Sequence, residues 1–323
     1  MGRTTWTEVP STLRDQVGAL LGSPVVASES QAAGWSPGGA DRVVTASGRR
    51  AFVKTLARSR NADGFGMHQR EADVMAQLPD TVRAPRLLDT LHATVDGDDW
   101  IALVLDDVPG HHPGGALDGS DTTAVLDALD TLPRAVGALA TLPRIAEDLG
   151  HDFGAWDRIT AAATGGPGDP DAQRVTEVVP AHVLEFGGAF ARAASGAAAL
   201  LDGDHLVHAD CRADNLLVDD AGVVWVIDWP WASIGAHWID PLTYLLDTQV
   251  RGEDVDVEHH LAHHPVFEDL PATTVDAALA GLAGLFFEHA LPPAPPNMPT
   301  IRDFQRREGL AAAEWLLHRW SRR

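Results

Sequence analysis

Residues 208–229 read HADCRADNLLVDDAGVVWVIDW, and the rest of the chain is read outward from this stretch. It sets a carboxylate at Asp210, a carboxamide five residues on at Asn215, and a second carboxylate thirteen residues later at Asp228. The segment LLVDD-AG-VVWVID holds two apolar, β-forming runs around a turn. That pattern predicts a hairpin returning Asp228 beside Asn215. A carboxylate able to take a proton from an attacking hydroxyl, followed by oxygen ligands for a divalent cation, is the equipment of phosphoryl transfer. Little new bonding develops in that transition state, so positioning and charge neutralisation supply most of the catalysis. Asp210 is therefore the expected base, and Asn215 and Asp228 are the expected ligands of Mg2+, a cation that prefers oxygen donors. Asp219 and Asp220 read as turn acids.

The runs HADCRADNLLV and VIDWPWASIGAHWIDP resemble the aminoglycoside phosphotransferase family, the small-molecule branch of the protein-kinase-like fold, in which H-x-D stands for the kinase H-R-D. The C-terminal segment FFEHALPPAPPNMPTIRDFQRREGLAAAEWLLHRW resembles the end of actinobacterial members of that family. The resemblance implies an α+β, two-lobed protein-kinase-like fold. Its small N-terminal lobe would be an antiparallel sheet with one αC-type helix, and its larger C-terminal lobe mainly helical. It also implies that Asp240, in HWIDP, braces the catalytic-loop backbone from below, a structural role.

The N-terminal half fits that frame. Apolar spacing after Pro10 predicts a helix to about Leu21, capped near Ser11 or Thr12. Strands are expected over about 24–32, 41–46 and 50–55. Between the first two lies GWSPGGA, where Gly34, Gly38 and Gly39 would let backbone amides approach phosphates. This run matches neither G-x-G-x-x-G nor the P-loop pattern, and a plain hairpin loop reads almost as well. In AFVKTL, Lys54 follows two β-formers as in the V-A-I-K strand, whose lysine reaches the nucleotide phosphates. READVMAQL carries helical spacing and Glu71, the expected partner of Lys54, with Asp73 as the alternative. A further hairpin over 87–95 and 99–105 ends at LVLDDVPG. By resemblance, residues 108–110 form the hinge that meets the purine. The expected division is a nucleotide-binding lobe over 1–107 and a helical lobe with catalytic loop and acceptor site over 108–323. Loops are marked by GGPGDP at 165–170 and PPAPPNMP at 292–299.

Composition narrows the function further. At 323 residues and 45% hydrophobic content the chain is long enough for two buried cores. A formal net charge of −22 argues against nucleic acid or an anionic membrane as partner, and suits either a cationic substrate or simple solubility. No apolar run approaches the roughly twenty residues that cross a bilayer, and no signal core is visible, so a cytoplasmic enzyme is expected. The single cysteine, Cys211, leaves no intramolecular disulfide, and its surroundings give no activating base for a thiol nucleophile. His259 and His263 stand four apart in EHHLAHH, but without the H-E-x-x-H signature they read as exposed surface residues.

Trp229 and Pro230 stand where protein kinases have Phe-Gly, and the short run from Asp228 to Asp240 leaves little room for an activation loop. A protein substrate is therefore not expected, and no protein partner is implied. The expected activity is transfer of the γ-phosphoryl of ATP or GTP to a hydroxyl of a small molecule. By resemblance the acceptor is an antibiotic of aminoglycoside, peptide or nucleoside type. A metabolic alcohol such as an amino sugar or choline-like compound is the alternative within enzymes, and a nucleotide-binding pseudokinase the alternative outside them. The joint presence of Lys54, Asp210, Asn215 and Asp228 counts against the last.

Overall fold

The computed structural model describes residues 3–31, 37–114, 120–166, 168–295 and 298–323. They form two compact units. The first comprises residues up to Pro113 together with Asp214–Trp231, and the second comprises Gly114–Ala213 and Ala232–Arg323. This partition is not colinear with the expected lobes at 1–107 and 108–323, because the 214–231 hairpin clusters with the N-terminal sheet.

The first unit is built on a five-stranded antiparallel sheet. Its strands are β1 (Val25–Ser30), β2 (Gly39–Thr45), β3 (Arg50–Ala57), β4 (Leu87–Val95) and β5 (Asp98–Leu105), in the order β1-β2-β3-β5-β4. Alternation along these strands sorts side chains to two faces. Val43, Ala51, Val53, Ala102 and Val104 pack with Trp6, Val9, Leu13, Val17 and Leu21, so one face is covered by helix α1 (Ser11–Leu20) and the segment before it. Lys54 lies between Val53 and Thr55 and therefore emerges on the other face, where helix α2 (Ala62–Met75) packs on β3 and β5.

Two boundaries differ from the sequence expectation. Pro10, with φ −52° and ψ 139°, occupies the N-cap of α1, so Ser11 is already helical and no side chain caps the helix. Helix α2 begins eight residues before the READVMAQL run. Asn61 caps it by accepting from Gly64 N at 2.8 Å, and Gly64 and Gly66 had hidden that first turn behind poor helix propensity.

The segment expected to serve as a hinge is held inside the first unit. Strands β7 (Leu216–Val218) and β8 (Val224–Val226) form a two-stranded ladder. Val218 exchanges backbone hydrogen bonds with His111 at 3.0 and 2.8 Å. Gly110 sits so close to this strand that an added Cβ would lie 2.7 Å from Val218 O, which explains a glycine there. These contacts carry the unit on to Pro113 rather than ending it at residue 107.

The second unit is mainly helical. Its longer helices are α3 (Ser120–Asp130), α4 (Ala155–Ala163), α5 (Pro170–Val178), α6 (Gly187–Ala194), α7 (Ile239–Val250), α8 (Val257–His263), α9 (Ala272–Ala290) and α10 (Ile301–Ser321). Short strands β6 (His205–Val207) and β9 (Ser233–Gly235) pair antiparallel beside them. Helix α9 is apolar nearly all round and lies at the centre of this unit. Trp156, fully buried, donates to Ala280 O at 2.8 Å and packs on Phe190 and Phe287 with ring centroids 4.9 and 5.9 Å away. Within the described residues no helix is long and apolar enough to cross a membrane.

Candidate active site

In the first unit, three residues far apart in sequence converge on one ammonium. Lys54 Nζ donates to Glu71 Oε1 at 2.5 Å and to Asp228 Oδ1 at 2.9 Å. Strand alternation supplies Lys54 to the α2 face, and α2 supplies Glu71 on its buried side, so the ion pair follows from two local patterns meeting. Burial alone would lower the Lys54 pKa, but the Asp228 and Glu71 charges outweigh it and hold the ammonium above its ordinary range. Burial acts in the opposite sense on Glu71 and raises its carboxyl, against the attraction of Lys54. Asp73, the alternative partner, is not the residue that Lys54 meets.

The hairpin delivers Asp228 as the alternation predicts. Ile227 N donates to Asn215 O at 2.9 Å, which sets the backbone of Asn215 beside the residue preceding Asp228. Asp228 has φ 66°, a left-handed conformation that aspartate adopts more readily than most residues. Its side chain is 45% exposed, so the carboxylate that meets Lys54 also reaches solvent, while Asn215 is buried. Asp219 is the turn acid expected of it: its carboxylate accepts from Ala221 N, Val223 N and Trp225 Nε1. One carboxylate and one carboxamide are an oxygen donor set of the kind magnesium takes, with water and phosphate oxygens completing the shell. The residues present therefore fit Mg2+.

Of the glycine-rich run, Gly34 lies outside the described residues. Gly38 and Gly39 are described: Gly38 O accepts from Arg3 Nε at 3.2 Å, and Gly39 opens β2 opposite Thr55. An added Cβ on Gly39 would lie 2.5 Å from Thr55 Oγ1 and 3.2 Å from Thr4 O, so close packing of three segments requires glycine there.

In the second unit, the loop after β6 is held by one helix. Asp240, in the first turn of α7, accepts from His208 N at 2.5 Å and from Ala209 N at 2.9 Å. This is the bracing expected of Asp240. Ala209 takes φ 62°, a strained conformation for a residue with a Cβ, and the two hydrogen bonds to a buried carboxylate hold it. Two helical turns further on, Asp247 accepts from Ala213 N at 2.9 Å and from Arg251 Nε at 2.8 Å. One face of α7 thus anchors both ends of the 208–213 loop, with Asp210 between them. Asp247 belongs to no recognisable motif, although its i+7 spacing from Asp240 places both acids on one helical face.

Nor does any motif single out Arg212 or Glu308. Arg212 pairs with Asp210 and lies over the Phe304 ring of α10, 5.1 Å from its centroid. Glu308, one turn beyond Phe304, is 3% exposed and its Oε1 has no hydrogen-bond partner. Burial, then the charges of Asp247 and Asp210, push its carboxyl up to about 8, with Arg212 and Arg307 acting the other way. Cys211 is likewise buried, and burial raises its thiol pKa well above the ordinary value, which removes it as a nucleophile.

The surface clusters resolve into structural parts. His259 and His263 are exposed and stacked 4.3 Å apart on α8. In the acidic stretch that follows α7, Glu253 pairs with Arg251, Asp256 caps α8 through His259 N at 2.9 Å, and Glu258 binds Arg319 at 2.7 Å. These three acids are committed to contacts within the fold.

Comparison with known proteins places this geometry in context. The Phosphotransferase enzyme family matches residues 36–272. Among solved structures, the chain is similar to a thermostable mutant of aminoglycoside phosphotransferase APH(4)-Ia in ternary complex with AMP-PNP and hygromycin B. That likeness has 15% identity and a TM-score of 0.56, covering 94% of this chain and 98% of that one. It is similar also to macrolide 2'-phosphotransferase MphH from Brachybacterium faecium, with 15% identity, a TM-score of 0.53 and coverage of 95% and 97%. A third likeness is to amicoumacin kinase hAmiN in complex with AMP-PNP, Ca2+ and Ami, with 12% identity, a TM-score of 0.53 and 93% of each chain covered. No curated protein sequence matches the chain. At these identities the solved structures establish the kinase-like fold.

Proposed function

This chain belongs to the Phosphotransferase enzyme family, and from that premise we propose that it transfers the γ-phosphoryl of ATP or GTP to a hydroxyl of a small molecule, an antibiotic. The observation that carries the reading is the bridging of Lys54 between Glu71 and Asp228. A buried lysine held by two carboxylates, one of them reaching solvent, is a phosphate clamp beside a metal ligand. The family match does not depend on that geometry, so the two support the reading separately.

Each residue then has a defined task. Lys54, oriented by Glu71, holds the nucleotide phosphates. Asn215 and Asp228 would hold Mg2+, which neutralises charge on the phosphate oxygens when bound. Asp210 orients the acceptor hydroxyl and takes its proton as the oxygen attacks, its loop fixed by Asp240 and Asp247. Gly38 and Gly39 line the nucleotide side, a task that the sequence pattern extends to Gly34; the first unit serves the nucleotide and the second the acceptor. A preorganised loop matters because a small misplacement of the base forfeits much of the orientation effect.

The antibiotic assignment draws on the similar structures, one of which holds hygromycin B, while the other two are an amicoumacin kinase and a macrolide 2'-phosphotransferase. The test is a phosphate-transfer screen with ATP and GTP against aminoglycosides, macrolides, amicoumacin and metabolic alcohols, read by nucleoside diphosphate release and acceptor mass. A mass gain of one phosphoryl group on an antibiotic, lost in Asp210→Asn, supports the proposal. Transfer confined to a metabolic alcohol would replace the antibiotic assignment, and no transfer to any hydroxyl would overturn the reaction.

A further inference from the structure

Ahead of the sheet, the segment at Arg3 and Thr4 is tied to both stems of the loop between β1 and β2. Arg3 Nη1 donates to Gln31 O at 3.0 Å, before the loop, and Arg3 Nε donates to Gly38 O at 3.2 Å, after it. Thr4 N donates to Pro37 O at 3.2 Å on the same stem. Thr4 is itself fixed: it is buried, and its hydroxyl accepts from Arg60 Nη1 at 2.6 Å. Trp6, two residues on, enters the core under the sheet. The guanidinium therefore sits between Gln31 and Gly38 on a segment held by hydrogen bonds of its own.

The second observation is electrostatic. Arg3 is more than half withdrawn from water, and burial lowers its pKa, while the charges of Asp228 and Asp41 oppose that shift. Asp228 is the carboxylate that also binds Lys54. Arg3 from the N-terminal segment thus lies in the field of the carboxylate that Lys54 from β3 contacts and that is proposed to hold magnesium. The strand register connects them further, since Ala40, just after the loop, pairs with Lys54. Magnesium held at Asp228 would draw the triphosphate to that carboxylate, so a cation in its field would also act on the phosphates.

We propose that Arg3 is a nucleotide-positioning residue, its guanidinium fork tying Gln31 to Gly38 while its charge adds a second cation, besides Lys54, for the triphosphate. An arginine suits this double task because its planar fork satisfies two carbonyls at once and its charge persists when partly buried. The inference rests on the phosphotransferase reading but concerns a residue outside the motifs that define it.

The test needs no acceptor. The full chain with Mg2+ is titrated calorimetrically with ATP and with GTP, the tighter nucleotide is retained, and the matching nucleoside serves as the phosphate-free control. Arg3→Gln, which removes the charge, should raise Kd for the triphosphate about ten-fold or more and leave the nucleoside within about two-fold. Arg3→Lys keeps the charge but loses the fork, and should fall between. Wild-type triphosphate affinity in Arg3→Gln overturns the proposal. So does equal weakening of triphosphate and nucleoside, which would mean that Arg3 merely supports the fold. If the wild-type chain bound neither nucleotide, the phosphotransferase reading would fall and this inference with it, an outcome distinct from the other two.

Discussion

Glu308 offers a prediction that needs no substrate. Its carboxyl is raised from 4.5 to about 8 by burial and by Asp247 and Asp210, with Arg212 and Arg307 opposing. In the unfolded chain the same group loses its proton near 4.5, so between these values the folded state binds one proton more than the unfolded state. Stability therefore falls as pH rises through the window, by about 1.4 kcal/mol per pH unit, and levels off above about 8. The residue is 3% exposed, so solvent does not screen this cost. Glu308→Gln keeps the shape of the neutral acid and cannot ionise. The variant should match wild type near pH 5 and exceed it by about 3–5 kcal/mol at pH 8. Urea unfolding of both proteins at pH 5, 6, 7 and 8 measures the difference, in which all other titrating groups are shared. A difference that stays flat across this range, or a variant less stable than wild type at pH 8, would refute the reasoning. That a buried carboxyl with one unpaired oxygen persists in the field of Arg212 and Asp210 fits the general exchange of stability for function near active sites.

Three further outcomes follow from the site. Asp210→Asn removes the proton acceptor but little volume, so turnover should drop about 10²- to 10⁴-fold with nucleotide affinity nearly unchanged, as single-turnover kinetics and calorimetry would show. Near-wild-type turnover would remove Asp210 as the base. Asp228→Ala should abolish turnover and erase the dependence of nucleotide binding on Mg2+, and identical titrations of variant and wild type with and without the ion would exclude Asp228 as a ligand. Asp240→Ala strips one buried and one partly buried backbone amide of their acceptor, for an expected loss of about 2–4 kcal/mol in chemical unfolding together with a fall in kcat, and an unchanged unfolding midpoint would contradict the bracing role.

What the sequence determined by itself is what short-range periodicity carries. Alternation in AFVKTL placed Lys54 on the face opposite Val53, and the turn between two apolar runs placed Asp228 next to Asn215, because side-chain direction along a strand repeats every two residues. The catalytic-loop spacing carried the family as well, since phosphoryl transfer constrains which residue types stand where. Tertiary structure alone decided the rest. The partners of the catalytic loop come from more than thirty residues away, so nothing near Ala213 announces Asp247; in the first unit, likewise, nothing near Gln31 announces Arg3. Burial, which makes an ordinary glutamate at position 308 titrate near 8 and an ordinary cysteine at 211 inert, depends on α7 and α10 closing around them. Local sequence fixes which way a side chain points; its electrostatic state depends on what else the fold brings within a few ångströms and how much water is left there.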